Sequence, residues 1–218
     1  MRKKAASNIT TIAGSDGPTS VFVCGKQGLK KTFKQRLYKM QFQFRRKRVE
    51  KRIRANYHSM EQVVEYIKAK WGYSEVSHND SEYKSEHKQM CASLLLQHKP
   101  QLLGELAANP KLKDYTEKEI QSFMEQQKKR QKAAEEICES VIDVDLHILK
   151  KEDSSLDSRI FLESKYEYIG SSVSGSKKAV KAFNKMYRDI YKYYGVSQRD
   201  IDEKSDRYEA LVRALAGK

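Results

Sequence analysis

Three prolines and ten glycines in 218 residues leave few places where the chain is forced to turn. That scarcity argues against a sandwich of many short strands and favours long helices. Cysteine is scarce as well: Cys24, Cys91 and Cys138 are odd in number, widely spaced and form no C-x-x-C pair. The pattern predicts neither a disulfide framework nor a structural zinc site, and it fits a reducing cytoplasm. Long apolar runs are missing. The longest are Val21-Phe22-Val23-Cys24 and Leu94-Leu95-Leu96, far short of the roughly 18 residues that cross a bilayer. Met1-Arg2-Lys3-Lys4 is not followed by an apolar stretch of signal-peptide length. The expectation is a cytoplasmic, bacterial-type chain that is not integral to a membrane.

Acidic residues are almost absent from the first quarter. Residues 1–54 hold 16 Lys/Arg and only two acids, Asp16 and Glu50, and this excess equals the net charge of the whole chain, +14. Residues 55–218 are balanced, with 27 of each sign. Such asymmetry points to a polyanion partner: nucleic acid, an acidic protein or an anionic surface. The dense part runs from Lys26 to Arg54, and the candidate contact residues are Arg36, Lys39, Arg45, Arg46, Lys47, Arg48, Lys51, Arg52 and Arg54. Leu29, Phe33, Leu37, Met40 and Phe44 thread the same stretch in steps of three and four, which is helical spacing. That spacing predicts a basic amphipathic helix ending near Asn56. Tyr38 and Phe42 could stack on bases or enter a lipid interface.

The hydrophobic fraction, 39%, is enough for a packed body beyond that helix. Ser59 with Gln62 reads as a capping box opening a helix through Lys70, stopped by Gly72. Residues 79–98 read as helix, Pro100 opens a short one, and Thr116 with Glu119 opens another reaching about Cys138. The period then changes to two. Ile142, Val144, Leu146 and Ile148 alternate with Asp143, Asp145 and His147. Ile160, Leu162, Tyr166 and Tyr168 alternate with Glu163, Lys165 and Glu167. These predict a β-hairpin over about 141–169, joined through Asp153-Ser154-Ser155. Val180, Phe183, Tyr187, Ile190 and Tyr194 then mark a strong helix ended by Gly195, and Ser197 with Asp200 caps a last helical region. The expected class is α+β, predominantly helical: a segment over 1–56 with the basic helix, and a body over 57–218 with the hairpin and C-terminal helices.

Ile12-Ala13-Gly14-Ser15-Asp16-Gly17-Pro18-Thr19-Ser20-Val21-Phe22-Val23 resembles the G-(A/S)-D-G-P-T stretch of the beta subunit of sodium-ion-translocating decarboxylases. The resemblance covers residues 9–26. In that family the stretch lies at a break in a membrane helix. The resemblance therefore implies that Asp16 is an ion-related position for Na⁺, with Gly17, Pro18 and Thr19 shaping the break. The rest of the chain lacks the spans of the pump, so the implied protein carries the ion-site motif without pumping. Read from its residues alone, the same peptide is an Asp-Gly-Pro turn between two apolar segments.

The hairpin carries a second pattern. Asp143, Asp145 and His147 share one face of the first expected strand, and Glu163 and Lys165 one face of the second. This resembles the metal-dependent nuclease pattern of the PD-(D/E)xK superfamily, which implies a site in which Asp143 or Asp145 holds Mg²⁺ with Glu163 while Lys165 positions or activates water. The same letters arise from the charged outer face of an amphipathic hairpin. No P-loop is present, because Gly25-Lys26 is followed by Gln27, and His58, His78, His87, His98 and His147 are scattered. Tyr187, Tyr191, Tyr193 and Tyr194 sit among Lys185, Arg188 and Lys192. That interleaving suits nucleic acid, but it also describes a helix with a buried side and solvated cations. The leading expectation is a basic binding protein with no cofactor. The rivals are the nuclease and the carrier of the decarboxylase peptide.

Overall fold

The computed structural model describes residues 33–110, 116–153 and 156–217. The Asp16 peptide and residues 26–32 lie outside them. The chain is α+β and predominantly helical, with one four-stranded antiparallel sheet. It divides into two compact units. Within the described residues, one comprises 76–146 and the other 33–75 with 147–217.

The first unit holds α3 (Ser81–His98), a 3-10 helix (Pro100–Leu106) and α4 (Glu117–Val141). Thr116 caps α4 by accepting the Glu119 N–H. Cys91, Leu95, Ala134 and Cys138 are wholly buried where α3 and α4 pack together. Buried Arg130 ties α4 to the preceding segment by donating to the carbonyls of Leu106 and Ala107 and to Asn109 Oδ1.

The second unit holds α1 (Phe33–Glu50), α2 (Met60–Trp71), β1 (Ser74–Glu75), β2 (Leu146–Asp153, save its first residue), β3 (Leu156–Glu163), β4 (Tyr168–Gly175), α5 (Lys177–Tyr194), α6 (Gln198–Glu203) and α7 (Asp206–Ala216). Both halves of the Ser59–Gln62 capping box form, and Gly72, having no Cβ, closes α2 in the left-handed conformation that would strain other residues. The sheet order follows the sequence, β1 to β4. Tyr73, Leu149, Ile160, Leu162 and Ile169 join Val63 and Ile67 of α2 with Phe183, Ile190 and Tyr194 of α5 in one core. Tyr208, Leu211 and Val212 of α7 complete it.

Three boundaries differ from expectation. The basic helix stops at Glu50, and residues 53–59 run on as an irregular segment. The first long strand begins at Leu146, so Asp143 and Asp145 precede it. The second strand ends at Glu163, and a turn through Tyr166 leads to a further strand, β4. Its Gly-Ser-Ser-Val-Ser-Gly stretch sets five small or polar residues against a single large one, Val173, so little alternation marks it as a strand.

Candidate anion-binding site

Charge in the second unit gathers where α1, the segment after it, α5 and α7 meet. Ser176 caps α5 by accepting the Ala179 N–H. One face of α5 buries Phe183, Met186, Ile190, Tyr191 and Tyr194. Its other face carries Lys178, Lys181, Lys185, Arg188 and Lys192, in steps of three and four. The irregular segment returns alongside the end of α5. Asn56 N–H donates to the Val196 carbonyl at 2.9 Å and His58 N–H to that of Tyr194 at 3.1 Å. Gly195 makes this approach possible. Its φ is +58°, and a Cβ there would lie 1.5 Å from the Asn56 carbonyl oxygen.

Arg207 of α7 locks the junction. Its guanidinium donates to the carbonyls of Gly195 at 2.9 Å, Tyr194 at 2.6 Å and His58 at 2.8 Å, and to Glu167 at 3.1 Å. It also lies against the rings of Tyr57 and Tyr194, 3.9 and 3.5 Å from their centroids. Five donors in a rigid fork suit this multiple capture, which a lysine could not reproduce.

Beside this junction opens a cavity of about 550 Å³. Arg52 and Arg54 line it from the stretch that follows α1, and Lys185, Arg188 and Lys192 from α5. Val49, Ile53, Leu211 and Leu215 supply its apolar lining. Among the described residues no carboxylate lines it and none of the five cations forms an ion pair. The acid on the same helix, Asp189, is already compensated. Lys70 Nζ lies 2.7 Å from its Oδ2, and Tyr66 donates to the same oxygen at 2.7 Å. Lys70 first, then Tyr66, outweigh the effect of burial and hold this carboxyl below its ordinary range. The cavity thus gathers five cations outside any ion pair above an apolar lining, with Asp189 acting on Lys192 only more weakly than on Lys70, an arrangement that holds anions.

The nine expected contact residues divide. Arg52 and Arg54 line the cavity. Lys47, Arg48 and Lys51 border a second cleft with Lys204, where Glu50 and Glu209 supply counter-charge. Arg46 is consumed internally, 2.8 Å from Glu50 and 2.6 Å from Glu209. Arg36 and Lys39 are exposed on α1, and Arg45 has buried Nε and Nη2 atoms without hydrogen-bond partners. The apolar stripe does not face the core. Phe33, Leu37, Met40 and Phe44 are exposed, while Phe42 and Val49 are half-buried. Phe42 and Val49, with Arg46, lie on the side opposite the stripe, so the stripe is the outer face.

Lys185, Arg188 and Lys192 belong to the cavity, although their sequence context fits solvated cations equally well. The available signal was five cations in one stripe against one acid, Asp189. The tyrosines beside them are structural. Tyr187 and Tyr191 both donate to the Ile169 carbonyl at 3.1 Å, and Tyr193 stacks between His58 and Tyr66.

The residues of the nuclease pattern fall in separate units: Asp143 and Asp145 in the first, Glu163 and Lys165 in the second. Glu163 is wholly buried, and its carboxylate accepts the backbone N–H groups of Lys165 and Tyr166, closing the β3–β4 turn. His147 is engaged by Glu75 at 2.7 Å. Among the described residues no cluster of three His, Cys, Asp or Glu is placed to hold a metal ion, and no helix is long and apolar enough to cross a membrane. No protein-family model, curated protein or solved structure matches the chain.

Proposed function

We propose that this chain is a cytoplasmic nucleic-acid-binding protein whose contact surface joins α1, the segment 51–54 and the cationic face of α5. The observation that carries the reading is the cavity where two cationic segments, far apart in sequence, converge with no carboxylate among the described lining residues. Lys and Arg that meet phosphates release condensed counterions, and this supplies sequence-independent affinity. Exposed Tyr38 and Phe44 on α1 add rings on which bases can stack. Apolar and cationic residues are interleaved around α1, with Lys47 and Arg48 flanking the Phe44 side. A helix lying in a lipid interface would separate them onto opposite faces.

The test is binding of a labelled single-stranded RNA and a DNA duplex at increasing salt. The expected result is a logarithmic salt slope of roughly −0.7 to −0.9 for each phosphate contacted. Charge reversal at Arg52, Lys185 and Lys192 together should weaken binding and flatten that slope. Salt-independent binding, or binding to anionic vesicles with none to either nucleic acid, would overturn the reading.

A further inference from the structure

We infer that the cavity bounded by Arg52, Arg54, Lys185, Arg188 and Lys192 is a discrete site for a terminal phosphate carried on a nucleotide. The inference rests on the nucleic-acid reading above and specifies which part of the ligand enters. A strand passing over a surface offers one negative charge per phosphodiester. A phosphomonoester carries a charge of about −1.5 to −2 at neutral pH and three acceptor oxygens. The cavity concentrates five cations from two walls around one opening, far more than a single diester requires. Arg52 and Arg54 lie on one wall and Arg188 on α5; Arg54 Nη1 already donates to the Lys51 and Ile53 carbonyls and Arg188 Nε to that of Asn184, so their remaining N–H groups, with those of Arg52, are left to meet phosphate oxygens from both sides.

Shape agrees with charge. About 550 Å³ lies within the range of roughly 300–1,000 Å³ typical of small-ligand sites and is too small to admit a duplex. The apolar lining from Val49, Ile53, Leu211 and Leu215 gives a sugar or base somewhere to rest beside the phosphate. The frame is fixed, because Arg207 and the Asn56–Val196 and His58–Tyr194 bonds hold the segment carrying Arg52 and Arg54 against α5. Asp189 is held by Lys70 and acts more weakly on Lys192. A phosphorylated strand end and a free nucleoside monophosphate present the same chemistry, and the experiment separates them.

The full chain is titrated with one short oligonucleotide bearing a 5′-phosphate, a 3′-phosphate or neither, and with a free nucleoside 5′-monophosphate. The same titrations are run on Lys185→Glu/Lys192→Glu, on the milder Lys185→Gln/Lys192→Gln, and on Lys132→Glu of α4 as a control, each checked for native circular dichroism. A terminal phosphate should tighten oligonucleotide binding about tenfold or more. The gain should vanish in both double variants and persist in the control, which would place a strand end in the cavity. Saturable binding of the free monophosphate, lost in the double variants without any effect of oligonucleotide phosphorylation, also supports the site and makes the free nucleotide its ligand. Equal binding of all three oligonucleotides with no uptake of the monophosphate overturns the inference. If oligonucleotide binding in that case stays salt-dependent, the wider nucleic-acid reading survives. If no oligonucleotide binds, both fall.

Discussion

Arg207 and Gly195 show how much of this site depends on single residues. The guanidinium serves three carbonyls from two chain segments while its side chain is 2% exposed. Arg207→Ala would strand those acceptors and leave the Tyr57 and Tyr194 rings without the group between them. We expect a loss of roughly 3 kcal/mol or more in urea unfolding, with Arg207→Lys recovering only part of it. At Gly195 any Cβ meets the Asn56 carbonyl, and backbone cannot yield as a flexible side-chain tip can. Gly195→Ala should therefore cost on the order of 3 kcal/mol, and it should weaken anion binding because the wall carrying Arg54 is displaced. Arg46 separates stability from binding. Its two carboxylate partners make Arg46→Ala worth up to about 1 kcal/mol in stability. It should leave oligonucleotide affinity close to wild type in the titration that registers Arg52→Glu.

α5 works as an element with two faces. Ile190, wholly buried at its centre, anchors the apolar face, and Ile190→Ala should cost roughly 2–5 kcal/mol through the cavity it leaves. The cationic face depends on its neighbour α2, because Lys70 engages Asp189. Lys70→Ala would free that carboxylate beside Lys185, Arg188 and Lys192. Weaker oligonucleotide binding at low salt, relieved by adding Asp189→Asn, is the expected outcome, and an unchanged affinity would show that Asp189 does not reach the cavity's field. The helices themselves were legible in the residues. Ser59-x-x-Gln62 formed its capping box, and the apolar spacing of α5 marked the face it buries. The strands were half legible. β2 and β3 follow the alternation of Leu146, Ile148, Ile160 and Leu162, whereas β4 is small and polar and draws its place from pairing along the whole of β3. α1 has the helical spacing its residues indicate, and the structure decides which side is covered. Its regular stripe lies on the exposed side, while Phe42, Arg46 and Val49 are half-buried on the other, where Arg46 meets Glu209.

For the whole molecule, stability should be greatest between mildly acidic and mildly alkaline pH. Asp189, Glu75 and Asp200 all have lowered folded values. For Asp189 the main cause is Lys70. For Glu75 burial pushes upward, but Lys68 and His147 outweigh it, and for Asp200 the Ser197 and Ser205 hydroxyls do the same. Their contributions are present above the ordinary values of 3.8 for Asp and 4.5 for Glu, and they are lost as pH falls through the lower folded values. At the other end, burial first and then Cys138 push the Cys91 thiol from 9.0 up to about 12. The unfolded chain then ionises first, so stability declines as pH rises from about 9 towards 12. Denaturant titrations across this range should show both flanks, and Cys91→Ala should flatten the alkaline one. A thiol reagent at neutral pH should label Cys91 only as fast as the first unit opens.

The residues alone determined the helix-rich class, because so few breakers interrupt the apolar spacing, and they determined the concentration of cations before residue 55, because charge is a property of composition. Only the tertiary structure decided which of those cations remain uncompensated. An ion pair such as Arg46 with Glu209, or Lys70 with Asp189, joins residues more than a hundred positions apart, and no local spacing records it. The cavity has the same origin. Arg52 and Lys192 come together because Gly195 lets two backbones touch and Arg207 holds them there.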